Sequence, residues 1–83
     1  MKEIEEVLTC MVRSIVDSPD DIKIESSTSE KGTLYEISVS KDDVGKVIGK
    51  GGRIASAIRS VAKAAGAKNG IRVMVNVFNS PKE

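Results

Sequence analysis

The sequence predicts an α+β fold in the order helix, strand, strand, short helix, helix, strand: a three-stranded sheet with three helices packed on one face. Three observations point to it. Apolar residues recur at spacings of three and four near the start, they alternate with polar residues in two later stretches, and a glycine-broken, alanine-rich stretch lies between. A chain of 83 residues makes one domain, 1–83, and two layers are the compact way to cover a small sheet. Residues 79–83 read as a polar tail.

Ile4, Val7, Leu8, Met11, Val12 and Ile15 form one apolar stripe of a first helix, and Glu3, Glu5 and Glu6 occupy its first turn, where the helix dipole favours anions. The helix stops before Asp17-Ser18-Pro19, because proline disfavours a helical residue ahead of it. Cys10 beside the stripe reads as a small, partly buried side chain. Runs 22–27 and 33–40 read as strands joined by a turn at Ser29-Glu30-Lys31-Gly32. Tyr35, Ile37 and Val39 alternate with Glu36 and Ser38, so one sheet face is buried and the other wet. Ser40 is placed to cap a helix with its hydroxyl, and Asp42 and Asp43 read as first-turn acids. That short helix, 41–48, ends at Gly49-Lys50-Gly51-Gly52. A longer one runs from Arg53 to about Ala65, with Ala55, Ile58, Val61, Ala62 and Ala65 inward and Arg53, Ser56, Ser60 and Lys63 on another side; Gly66 is the expected left-handed cap. Ile71, Val73, Val75 and Val77 alternate with Arg72, Met74 and Asn76 in a last strand. It returns by a crossover, which allows a sheet of mixed direction and leaves the strand order open.

Composition removes several functions. With no His and one Cys, the zinc-binding Cys/His sets, an internal disulfide and His-based catalysis are unavailable, so no metal and no cofactor is expected. A domain this small has no room for a deep cavity between lobes, which argues against an enzyme. The lone cysteine and the charged, amphipathic start point to a cytoplasmic protein, and no apolar run approaches the roughly 18 residues of a membrane span. The formal net charge of +1 conceals a split: residues 1–40 hold four basic and nine acidic side chains, whereas residues 41–69 hold seven basic and two acidic. The split fits either a plainly uneven surface charge or one face built for an anion.

The glycine loop is where that charge concentrates. Gly49-Lys50-Gly51-Gly52 opens directly into a helix whose first N–H groups lack intrahelical partners, and glycines let a phosphate approach the main chain. A glycine pair at this spacing is weak evidence alone, since a turn between helices needs glycine anyway. Nucleotide loops fail by spacing. The phosphate-loop motif requires Lys-Ser/Thr after its last glycine, and here Arg53-Ile54 follows; the third glycine of a dinucleotide fingerprint would fall on Ile54. A chain of phosphates fits better, because Lys46, Lys50, Arg53, Arg59 and Lys63 carry charge beyond one site, although Lys46, Lys63 and Lys68 also read as plain solvated charges.

Val47-Ile48-Gly49-Lys50-Gly51-Gly52 between two helices resembles the signature of the KH domain, and the element order is similar to its type II, prokaryotic arrangement, α-β-β-α-α-β. The lead-in Asp43-Val44-Gly45-Lys46 and the run Ser56-Ala57-Ile58-Arg59 resemble the small bacterial stand-alone KH proteins of the KhpA type. The resemblance covers essentially the whole chain. It implies a non-catalytic module that clamps about four nucleotides of single-stranded RNA, with DNA as a substitute in vitro, across the loop. The implied RNA contacts are Gly49, Lys50, Gly51, Gly52 and Arg53, with Lys46, Gly45, Val47, Ile48 and Ser56 around them; Val44, Val47 and Ile48 match aliphatic positions of core or groove floor. The position three beyond the last glycine, usually a large aliphatic, is Ala55, with Ile54 one place early; an exposed Ile54, together with Val61, then marks a dimer contact.

Two aromatics, Tyr35 and Phe78, cannot supply both a stacking platform and a core, and they read as core or edge filler. A KH groove needs no such platform. Weak binding by one domain favours a homodimer or pairing with a larger KH protein of the KhpB/Jag type, and the resemblance implies a bacterial RNA chaperone or regulator connected with cell shape and cell-wall biogenesis. The alternative is a protein-interaction or dimerisation scaffold in which RNA binding is secondary.

Overall fold

The computed structural model describes residues 2–79 and contains α1 (Lys2–Arg13), β1 (Lys23–Ser29), β2 (Gly32–Val39), α2 (Lys41–Ile48), α3 (Arg53–Lys68) and β3 (Val73–Asn79), with single 3₁₀ turns at Pro19–Asp21 and Lys50–Gly52. The sheet order is β1-β2-β3. β1 pairs antiparallel with β2 through the tight hairpin, and β2 pairs parallel with β3 across the helical crossover, so the sheet is mixed. Of the expected 79–83 tail, Asn79 closes β3 and residues 80–83 lie outside the described residues.

The core lies on one face of the sheet. Tyr35, Ile37 and Val39 of β2 and Val73 and Val75 of β3 meet Ile4, Leu8 and Val12 of α1, Val47 of α2, and Ile58 and Ala62 of α3. Each fully buried aliphatic contributes about 1.5–3 kcal/mol. The opposite face is wet: register places Glu25 against Glu36, and Leu34 against Met74. The aromatics divide accordingly. Tyr35 is in the core, where burial and then the nearby Glu5 charge raise its pKa, while Phe78 lies exposed on the wet face of β3.

Several local expectations require correction. Gly66 does not end α3; it is a buried helical residue, and the left-handed cap is Gly70 (φ 73°), one turn later. The hydrogen bonds Ile71 N–H to Gly66 O (2.9 Å) and Gly70 N–H to Ala67 O (3.1 Å) form a Schellman motif. A glycine is needed at position 66 for space: an added Cβ would lie 2.5 Å from Val73 Cγ2 and 2.9 Å from the Ile71 carbonyl oxygen, so α3 rests directly on the entry to β3. Because Ile71 serves the motif, β3 starts at Val73 and not at Ile71. Val61 is 44% exposed and so is not on the inner face, and Cys10 is exposed rather than partly buried. Both sit on flanks of their helices, away from the sheet.

Ser40 starts α2 without accepting a backbone N–H; its hydroxyl donates instead to Asp43 Oδ2 at 3.3 Å. Asp43, only 1% exposed, is more than a first-turn acid. Its carboxylate accepts the backbone N–H groups of Asp17 (3.2 Å) and Ser18 (3.0 Å), fastening the α1–β1 connection to the helix that carries the glycine loop. Burial opposes its ionisation, but those two N–H donors, the Ser40 hydroxyl and the Lys46 charge outweigh it and hold the pKa below the usual carboxylate range. A depressed folded-state pKa contributes stability above the unfolded value near ~4 that is lost as pH falls through the folded value. We expect Asp43→Asn to lower the melting temperature at pH 7, and the gap from the wild type to narrow as pH falls below the usual carboxylate range. Circular dichroism melts across that range check it; a gap independent of pH would show that ionisation of Asp43 is immaterial.

Candidate nucleic-acid interface

The site grows from the end of α2. Gly49 N–H closes the last turn on Gly45 O at 2.9 Å, and Gly49 then turns to φ 77°, ψ 173°. Gly51 (φ 64°, ψ 19°) and Gly52 (φ 76°, ψ 15°) follow in left-handed conformations, and Gly52 N–H returns to Gly49 O at 3.1 Å. Side-chain-bearing residues rarely adopt such angles, so the loop depends on glycine. At Gly49 space is also decisive: an added Cβ would lie 2.7 Å from Ile54 Cγ1. Around Gly51 and Gly52 an added Cβ would meet nothing within 4 Å. The loop is closed beneath its first glycine and open over the other two.

This geometry accounts for the aliphatic one place early. Ala55, 4% exposed, takes the core position on α3, while Ile54 packs against Gly49 and keeps 37% of its surface exposed. Lys50, Gly51, Arg53 and Ser56 are exposed around the α3 N-terminus, where Arg53 N–H bonds back to Lys50 O. Gly45 is an exposed helical glycine whose missing Cβ would touch nothing within 4 Å, so no protein contact requires it to be glycine. Of the aliphatics ahead of the loop, Ile48 is exposed, Val44 half-buried and Val47 fully buried. Val47 supports the loop from the core, and its side chain cannot form groove floor.

Lys46 is only partly available. It pairs with Asp17 and lies 3.5 Å from Asp43 Oδ1, and the hydrogen bond to Asp17 is the main reason its pKa is raised. It belongs first to the fastening between α2 and the α1–β1 connection.

Beyond the loop, Gly52, Ser56, Arg59 and Lys63 recur at helical spacing along one flank of α3. Thr33 N–H bonds to Arg72 O at 2.9 Å, so the parallel ladder uses Arg72, Met74 and Asn76, and Val73, Val75 and Val77 turn their backbone groups to the free edge of β3. Arg59 Nε donates to the Val75 carbonyl at that edge, at 3.0 Å. Further along, Lys63, Ile71, Arg72, Val73 and Met74 line a concavity of about 530 Å³. The loop, the α3 flank and the β3 edge thus make a basic track with an apolar far end. Arg72 and Met74 carried only a strand alternation in the sequence, which says nothing of their approach to Lys63.

The other flank of α3 is apolar. Ile54 and Val61 lie one above the other, and a separate hollow of about 440 Å³ between α1 and α3 is lined by Glu3, Glu6, Val7, Cys10, Ala65, Lys68 and Asn69. Among the described residues, no group of three or more His, Cys, Asp or Glu is placed to hold a metal ion, and no helix is long and apolar enough to cross a membrane.

The chain is similar in sequence to known proteins along most of its length. The family described as KhpA/KhpB, KH domain, matches residues 5–77. The RNA-binding protein KhpA of Clostridium acetobutylicum is 44% identical over 88% of this chain and 97% of its own length, and that of Clostridium perfringens 44% identical over 94% and 100%. The RNA-binding protein KhpA of Mycobacterium tuberculosis is 49% identical over 78% of this chain and 80% of its own length. With an α-β-β-α-α-β order, a mixed three-stranded sheet and a glycine loop between α2 and α3, this chain belongs to the KhpA/KhpB family of KH domains.

Proposed function

We propose that the protein binds single-stranded RNA without catalysis, clamping about four nucleotides with the backbone crossing Gly49–Gly52 and the bases running along α3 and the β3 edge. The observation that carries this reading is the loop: consecutive left-handed glycines with open space above them, at a helix N-terminus flanked by Lys50 and Arg53. That relatives are named RNA-binding proteins supports it. Gly49, Gly51 and Gly52 let the sugar-phosphate chain come close to the main chain, Lys50 and Arg53 neutralise phosphates, Gly45 leaves room for close approach, Ile48 offers apolar floor and Ser56 a hydroxyl. A site neutralising three or four phosphates gives a log Kd against log salt slope of about 2–3, at roughly 0.7 per phosphate for single strands. Titration of a labelled oligonucleotide at several salt concentrations measures it, and a flat response would mean that the loop is structural.

A second copy of the chain, or a larger KH protein of the KhpB/Jag type, fits the Ile54 and Val61 flank, which is apolar, exposed and separate from the basic track. Two linked clamps would bind far more tightly than one. Sedimentation velocity of wild type beside Val61→Glu is expected to show a dimer only in the wild type; a dimer in both would place the contact elsewhere. In this reading the chain acts as a cytoplasmic RNA chaperone or regulator. The scaffold alternative is favoured by the same flank, and a folded chain that dimerises without any RNA affinity would establish it.

A further inference from the structure

The hydrogen bond from Arg59 to the edge of β3 has a consequence for what the track can recognise. Arg59 is exposed on the flank that begins at Gly52, seven residues and about 10 Å along α3 from the loop. Its Nε–H is committed to the Val75 carbonyl at 3.0 Å, while its two terminal amino groups have no hydrogen-bond partner among the described residues. The guanidinium is therefore held by one nitrogen against the sheet edge, with its remaining donors free. The neighbouring cations differ: Lys46 pairs with Asp17, and Lys63 is exposed with no hydrogen bond or ion pair among the described residues.

We infer that Arg59 is the specificity-determining residue of the track, and that it selects a base presenting two adjacent acceptors, guanine through N7 and O6 or cytosine through N3 and O2, over adenine and uracil. This rests on the RNA clamp proposed above. A tethered planar fork offers two donors in a fixed direction, which suits a pair of neighbouring acceptors and leaves one donor unmatched on any other base edge. Adenine places an amino group beside each ring acceptor on its pairing edges, and uracil places an N–H between its two oxygens, so neither shows an adjacent pair there. Phosphate also takes a fork, but phosphate contacts carry no sequence information, and the loop already supplies them at the N-terminus of α3. Arg59 lies past that point, where bases would rest against the β3 edge.

The test uses eight-residue oligouridine probes in which one central uridine is kept or replaced by guanosine, cytidine or adenosine, titrated by fluorescence anisotropy against wild type, Arg59→Lys and Arg59→Gln. Wild type is expected to prefer the guanosine or the cytidine probe by about fivefold to a hundredfold over the uridine and adenosine probes, the range of one good bidentate pair, and the two favoured arms tell which base it is. Arg59→Lys keeps the charge and loses the fork. It should bind all four probes within about twofold of one another, and Arg59→Gln should lose the preference as well. A uniform loss on all probes would make Arg59 a phosphate contact, and a preference surviving in a folded Arg59→Lys, or absent from wild type, would overturn the assignment. Failure of the clamp itself is separately visible, as undiminished RNA affinity in the folded Lys50→Asp, Gly51→Asp double variant.

Discussion

Replacing Lys50 and Gly51 together with aspartate is expected to lower RNA affinity by at least about a hundredfold, about 2.8 kcal/mol, while leaving a folded protein. Three units of charge change sign or appear where phosphates would lie against the α3 N-terminus, and the helix end attracts anions only while nothing negative occupies it. The fold should tolerate the change. Lys50 is exposed, an added Cβ at Gly51 would meet nothing within 4 Å, and Asp is among the few side chains that accept the left-handed region Gly51 occupies (φ 64°). Electrophoretic mobility shifts beside thermal melts separate the two effects. A well-folded double variant that still binds RNA would remove the loop from the site.

The same substitution should have opposite signs at two helical glycines. Gly66→Ala drives a Cβ to 2.5 Å from Val73 Cγ2 and 2.9 Å from a backbone carbonyl, an overpacking that costs about 1–3 kcal/mol, and Gly66→Val costs more. Because a domain of this size loses roughly 4–8 °C per kcal/mol, the valine variant should melt well below the wild type. Gly45→Ala meets open space and gains up to about 1 kcal/mol of helix propensity, raising the melting temperature. If a nucleotide strand passes over α2 there, that stabilised variant binds RNA less well. Equal shifts in the two melts would contradict the close packing of α3 on β3.

Much of this was legible because periodicity reports burial. The alternation of Tyr35, Ile37 and Val39 named the inner face of β2, and the glycine cluster marked the break between α2 and α3. What could not be read were choices made by tertiary contact. Gly66 and Gly70 are equally good caps in sequence, and the bonds from Gly70 and Ile71 back to Ala67 and Gly66 put the end of α3 at the second. Asp43 resembles any first-turn acid until the connection at Asp17 and Ser18 folds back onto it. Val61 fits an inner-face spacing, yet the helix is turned so that Ile58 and Ala62 fill the core and Val61 faces outward. At the candidate site the loop residues stood out, whereas the far end of the track did not. Arg72 and Met74 reach it through the parallel return of β3, which no local pattern records.

That parallel return also sets a schedule. Thr33 pairs with Val73, forty positions later, so the second half of the sheet closes over a long loop, whereas the β1–β2 hairpin needs only its own neighbours. Long-range pairing is slow because its entropy is lost before contacts repay it. On a ribosome the glycine loop emerges before β3, at a time when α3 has no strand to rest on and the edge that completes the track does not exist. The basic track is therefore completed only when β3, the last element of the sheet, has paired with β2.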